Sequence, residues 1–475
     1  MKTDDPTRTE RDSLGELTVP SKAYYGIHTQ RAVENYPISG VKIGDVPDLI
    51  RAYALVKKAA ACANRDLDLL DAKKVETIAA VCDEIDRGAL HGEFIVDVIQ
   101  GGAGTSTNMN VNEVIANRGL ELMGLPRGRY EALNPIDDVN ASQSTNDTYP
   151  TSVKVGLCFA ILRLITAMEG LRRSFERKSI EFRDVLKIGR TQLQDAVPMS
   201  LGQEFSTYAV MIGEDEERLR EAMLLIHEIN LGATAIGTGI NTDPDYAPLA
   251  CRYLADFSKL PLKPATNFVE ATQDTGAFVQ LSGVLKRVAC KLSKTCNDLR
   301  LLSSGPQAGL NEIMLPPRAA GSSIMPGKVN PVIPEVMNQI AFEVIGNDMT
   351  VTMASEAGQL QLNAFEPIIC FSLFKSIGHL QAGCVTLAKN CVDGITANLP
   401  LLQHRVNTSA GLATALNPHI GYEAASAIAK DAVKYNRPVA ELVLERGLLT
   451  PAELAEFLRP EALTRPTRIR KRSKS

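Results

Sequence analysis

The sequence predicts a mostly α-helical protein with a long central helical bundle and smaller N- and C-terminal domains. Three observations lead there. Residues Val153 to Met168 are apolar on nearly every side, and a helix without a polar face needs neighbours all round. Phe278, Leu281, Leu285, Val288, Leu292, Leu299 and Leu302 recur at spacings near 3 and 4, the stripe of a bundle helix. Strand-like alternation is scarce. The expected division is residues 1–140, a bundle domain at 141–397, a small helical domain at 398–463 and a basic, solvated tail at 464–475.

In chain order, residues 1–45 read as polar and irregular. Helix is predicted from Pro47, where Leu49, Ala52/Tyr53, Val56 and Ala59/Ala60 keep helical spacing, and again over Val75 to Ile85. The glycines of Gln100-Gly101-Gly102-Ala103-Gly104 lead into Thr105-Ser106-Thr107-Asn108-Met109-Asn110, a run of residues that favour helix caps. A second polar island, Asn140-Ala141-Ser142-Gln143-Ser144-Thr145-Asn146-Asp147, opens the all-apolar helix. Donors at the mouth of a buried helix need partners, either each other or a bound ligand. The third island is Gly189-Arg190-Thr191-Gln192-Leu193-Gln194-Asp195-Ala196-Val197-Pro198, and Gly232 to Asn241 is a small-residue loop. No β-α-β alternation surrounds those glycines, which disfavours a dinucleotide fold. Helix is predicted once more from about Pro334 to Gly358 and from Ile369 to Ile395, and Asn398-Leu399-Pro400 marks a boundary.

Composition narrows the function classes. The 475 residues suit two or three domains, with 45% hydrophobic and 22% charged residues as in ordinary globular chains. A net charge of −4, no tryptophan and 5% aromatics give no footing for nucleic acid. No apolar run is read as membrane-length and no signal-peptide core is read at the start, so the chain is expected in the cytoplasm. The nine cysteines include no C-x-x-C pair, and most sit in apolar helical patterns as small hydrophobes. No Cys or His stands at ligand spacing, so zinc chemistry is not expected; no metal site and no cofactor is assigned. The six histidines lie outside the polar islands and have no Ser-His-Asp context.

One decamer carries the chemistry: Gly321-Ser322-Ser323-Ile324-Met325-Pro326-Gly327-Lys328-Val329-Asn330. Glycines let such a loop turn sharply and bring its N–H groups to a ligand, and a following helix adds positive dipole. It is not a Walker loop, because Val329 follows Lys328. Its hydroxyls, lysine and amide suit an anion. Ser322, Ser323 and Lys328 are the loop's candidates for a base.

Residue by residue, this decamer resembles the signature of the fumarase/aspartase superfamily. The three islands, the 232–241 loop and Tyr24-Tyr25-Gly26-Ile27-His28-Thr29-Gln30-Arg31 resemble family segments too, so the likeness covers essentially the whole chain. The resemblance implies a lyase that eliminates across a carbon–carbon bond to release fumarate or a relative, with a small-molecule substrate. It implies Ser322 as the base, Ser323 on one carboxylate, and Lys328 with Asn330 on the other. Thr105, Ser144, Thr145, Asn146, Thr191 and Gln192 become substrate contacts. It also implies a homotetramer in which each active site is shared among three subunits, with no nucleic acid and no membrane. Fumarases carry histidine at the position of Gln192, whereas the ammonia-lyase branch carries either residue. A neutral amide orients but does not act as a base, so loss of ammonia from L-aspartate is expected over hydration of fumarate, the alternative. Non-catalytic structural relatives exist as well, but the retention of both Ser322 and Lys328 speaks against that class.

Overall fold

The computed structural model describes residues 6–321, 324, 325 and 327–466. Ser322, Ser323 and most of the basic tail lie outside the described residues. Two compact units emerge, one of Met1–Ile165, Glu217–Ala289 and Phe342–Gln381, the other of Thr166–Glu216, Cys290–Ala341 and Ala382–Ser475.

The first unit begins with an antiparallel hairpin, β1 (Thr7–Asp12) and β2 (Gly15–Pro20), followed by α1 (Ile27–Asn35). This departs from the irregular reading of residues 1–45. The strands lack apolar alternation because their charges are paired: Arg8 bonds Glu10 and Arg31 bonds Asp12, both at 2.7 Å. Next come α2 (Pro47–Asp66), α3 (Ala72–Asp86) and α4 (Thr105–Leu122), with α2 packed on α3. The expected stripe of α2 is buried, and Lys57 is buried with it. Asp71 starts α3 by accepting the N–H groups of Lys73 and Lys74.

The longest helix, α5 (Thr145–Glu181), contains the all-apolar stretch. Residues 151–158 are buried on every side, as expected, but Leu162 is 47% exposed. After it come β3 (Leu186–Thr191), β4 (Gln194–Ser200) and α6 (Leu201–Ile226). Then follow β5 (Glu228–Ile229), α7 (Tyr246–Ser258), β6 (Lys263–Pro264) and α8 (Phe268–Ala271). The striped helix is α9 (Gly276–Leu302); β7 (Ile313–Met314), α10 (Val332–Glu356) and α11 (Glu366–Asn390) come next. By length and composition α5 and α11 are each long and apolar enough to cross a membrane, where the sequence reading saw no run of that length. The apolar window of α5 is nevertheless 78% buried within the fold.

At the start of α11, Glu366 is buried close enough to Lys154 of α5 to feel its charge, and Lys154 donates to the Glu228 carbonyl at 2.7 Å. Burial pushes the Glu366 carboxyl up to about 8, with the Lys154 charge opposing. In α10, Phe342, Ile345, Met349 and Met353 fall within a single helical face, and Phe342, Met349 and Met353 are more than 60% exposed.

The second unit holds the β3–β4 hairpin and the C-terminal helices. Strand β8 (Thr396–Ala397) pairs antiparallel with β7. Helices α12 (Leu399–Thr408), α13 (Leu412–Ile420), α14 (Tyr422–Tyr435), α15 (Val439–Glu445), α16 (Pro451–Phe457) and α17 (Pro460–Thr464) follow. Leu416, Ile428, Val439, Val443 and Leu454 form a compact apolar cluster among them. Eight of the nine cysteines are buried and Cys290 is exposed. Burial pushes the Cys158, Cys370 and Cys384 thiols up to about 12.

Candidate active site

In the first unit the polar islands meet at helix N-termini. Thr105 is the first residue of α4, exposed, and its hydroxyl donates to the Gly102 carbonyl at 2.7 Å. Gly104 before it has φ +89°, and a Cβ there would lie 2.1 Å from the Tyr149 ring. Only glycine lets this turn seat against α5. Thr148 of α5 donates to Asn108 of α4 at 3.3 Å, which brings the first and second islands together.

Ser144 stands just before α5. Its hydroxyl accepts from the Asn146 N–H at 3.2 Å, and its own N–H donates to the Asp147 carboxylate at 3.0 Å. This is reciprocal capping of the helix start. Pro150 then sits inside the helix. Proline has no N–H to give to the carbonyl four residues back, which is that of Asn146. The Asn230 side chain supplies the missing donor at 3.1 Å. Three more bonds lay the small-residue loop on this turn. The N–H groups of Gly232 and Thr234 donate to Asp147 at 3.2 and 2.9 Å, and the Asn146 amide donates to the Ala235 carbonyl at 2.7 Å.

Beneath the islands lies Lys57. Its ammonium donates to the side-chain oxygens of Asn140 and Gln143, both at 2.9 Å, while Asn108 and Asn112 also donate to that Asn140 oxygen. Burial lowers Lys57 to about 7 and raises Asp147 to about 7, each opposed by the other's charge. The segment at residues 24–31 is tied down by Glu113 of α4, which is buried and accepts the N–H groups of Gly26, His28 and Thr29.

In the second unit, the third island is the tip of the β3–β4 hairpin. Gln192 and Leu193 occupy the turn with φ +53° and +63°, and Leu193 is 70% exposed. Two such residues in left-handed conformation are costly, and they hold Thr191 and Gln192 out at an exposed edge. Arg190 donates to Glu312 at 2.6 Å, and Arg405 to the same oxygen at 3.1 Å. Glu312 is 1% exposed and lies directly before β7. Strand β7 in turn lines a cavity of about 680 Å³ with Arg300, Ser303, Asn311, Lys328 and Asn330.

The decamer closes on itself: Gly321 has φ +86°, and a Cβ there would lie 2.1 Å from the Lys328 carbonyl oxygen. Lys328 is exposed and Asn330 half-buried, two residues before α10. Ser322 and Ser323 lie outside the described residues, so their expected roles carry over from the sequence alone. The structure gathers Thr105, Ser144, Thr145 and Asn146 in one unit, and places Thr191, Gln192, Lys328 and Asn330 in the other.

Sequence reasoning passed over Lys57, Glu113, Asn230 and Glu312. Lys57 carried one signal, a lysine beside Val56 in the apolar stripe of α2. The signal for Asn230 was indirect, since Pro150 four residues after Asn146 predicts an orphaned carbonyl.

A family model described as lyase matches residues 15–346, and one described as fumarase C C-terminus matches 412–465. An aspartate ammonia-lyase of Pseudomonas aeruginosa is 56% identical over 464 residues, 98% of each chain. A crystal structure of a fumarate lyase:delta crystallin from Brucella melitensis superposes with a TM-score of 0.95 at 53% identity, over 97% of this chain and 100% of that one. A class II fumarase from Schistosoma mansoni reaches 0.89 at 34% identity, over 96% and 98% of the two chains.

Proposed function

The chain belongs to the fumarase/aspartase family of lyases, and from that we propose that it deaminates L-aspartate reversibly to fumarate and ammonia. The observation that carries the reading is the likeness to aspartate ammonia-lyases along nearly the whole chain. It makes the protein a carbon–nitrogen lyase. In the proposed reaction a base removes a proton from the carbon beside one carboxylate, giving a dianionic enediolate. The electron pair then expels ammonia from the neighbouring carbon and forms the double bond.

Ser322 is the proposed base, Ser323 a carboxylate contact, and Lys328 with Asn330 the counter-charge for the other carboxylate. Fixed donors aimed at the developing charge supply most of the stabilisation. Thr105, Ser144, Thr145, Asn146, Thr191 and Gln192 hold the remaining groups. The helix starts of α4 and α5 support this, since they direct positive dipole toward an anion. Gln192, as an amide, orients rather than ionises.

We further propose a homotetramer with sites shared among subunits, working in the cytoplasm. The exposed apolar face of α10 supports association, because contiguous large apolar side chains mark contact surfaces. The cysteines, free and mostly buried, suit a reducing compartment.

The test is absorbance in the fumarate band with L-aspartate, then L-malate, as sole substrate. Signal from L-aspartate alone is expected. Signal from L-malate alone would make the protein a hydratase.

A further inference from the structure

The loop at residues 230–235 is bonded to the first turn of α5 more tightly than a surface connection requires. Four hydrogen bonds cross between them. Asn230 donates to the Asn146 carbonyl, the Gly232 and Thr234 N–H groups donate to Asp147, and the Asn146 side chain donates to the Ala235 carbonyl. Each answers a local need. The first supplies the donor that Pro150 lacks, the next two give hydrogen bonds to a fully buried carboxyl group, and the last commits one end of the Asn146 amide. One N–H of that amide is held by the Ala235 carbonyl, which fixes its orientation and turns Oδ1 away from the loop.

Thr234 sharpens the point. It is β-branched yet has φ +56°, a left-handed conformation that such residues avoid, and its buried hydroxyl has no hydrogen-bond partner among the described residues. Such strain persists where surrounding structure over-determines the backbone. Here the determinant is Asp147, which takes the Thr234 N–H on one oxygen and the Ser144 N–H on the other.

We propose that residues 230–235 act as a positioning clamp for the first turn of α5, with Asp147 its central member. The clamp sets where Thr145 and Asn146 stand and which end of the Asn146 amide faces substrate. It needs no substrate contact of its own. The proposal rests on the reading that Thr145 and Asn146 touch substrate.

Asp147→Asn tests it in the full-length protein. An amide offers an acceptor on one side only, so either the cap or the loop bonds are lost. A misplaced binding turn weakens ground state and transition state alike. The expected result is a KM for L-aspartate raised on the order of 10-fold or more, a kcat changed several-fold less, and faster amide exchange at residues 232 and 234. A purely structural role would lower heat stability and leave KM in place; that outcome overturns the clamp. If Asp147→Asn does not fold, the parent protein decides. Saturating succinate, a non-reacting dicarboxylate, should slow exchange at 232 and 234 on the order of 10-fold along with 144–147. Unchanged exchange at 232 and 234 overturns the proposal. Thr145→Val and Asn146→Ala are assayed separately, and a KM for L-aspartate unaltered in both is the sign that the underlying reading, rather than the clamp, has failed.

Discussion

Ser322 and Lys328 divide the proposed chemistry between a proton acceptor and a fixed charge, and two substitutions separate those roles. Ser322→Ala should lower kcat by on the order of 10²–10⁴, the usual worth of a positioned base, with folding unaffected. Near-normal turnover would remove Ser322 from the mechanism. Lys328→Ala should raise KM strongly, because an exposed ammonium beside a cavity acts as a point charge on carboxylate. Lys328→Arg should restore only part of it, since a planar guanidinium presents its donors differently. Unaltered KM in both variants would assign the lysine to the scaffold. At this scale the sequence offered as candidates groups that the structure leaves exposed or half-buried, the hydroxyls and amides of Thr105, Ser144, Asn146 and Gln192. It hid the inward-facing ones. Lys57 and Asn230 hold the islands from below, through pairings 83 and 84 residues apart along the chain, and nothing local in the sequence marks such distant partners.

Among the elements, the long helices were legible because burial writes itself as periodicity. The start of α2 and the bounds of α3, α9 and α10 fall within a few residues of those read from spacing. The hairpins were not legible. Paired charges replace apolar alternation in β1 and β2, and the tip of β3–β4 puts Gln192 and Leu193 where glycine or asparagine would signal a turn. The junction of α5 with α11 yields a pH test. An unfolded glutamate titrates near about 4.3, whereas Glu366 in the fold is raised to about 8. Between those values the folded protein keeps a proton the unfolded chain has lost, so stability falls as pH rises and levels off above about 8. Glu366→Gln lacks that dependence. Its Tm relative to the parent should therefore rise from pH 5 to pH 8, by up to about 1.4 kcal/mol per pH unit in stability. An offset that stays flat across that range would show that Glu366 is ionised in the fold.

For the whole molecule, the central question is whether one chain holds a complete site. Shared sites predict complementation. Thr191→Val and Ser322→Ala, each inactive alone, should regain partial activity when unfolded together and refolded as mixed oligomers. Some sites then collect intact islands from different chains, whereas purely intrachain sites would all keep a defect. A fully active monomer by light scattering would sink the shared-site reading.

The buried cysteines have a consequence of another kind. A thiol reagent or oxidant acts on the thiolate, and eight of the nine sulfurs are enclosed by the fold, with only Cys290 presented to solvent. The native chain should consume one equivalent of reagent quickly and the remaining eight only as fast as the enclosing structure opens. Its wear under oxidising stress is then set by its unfolding rate rather than by the supply of oxidant.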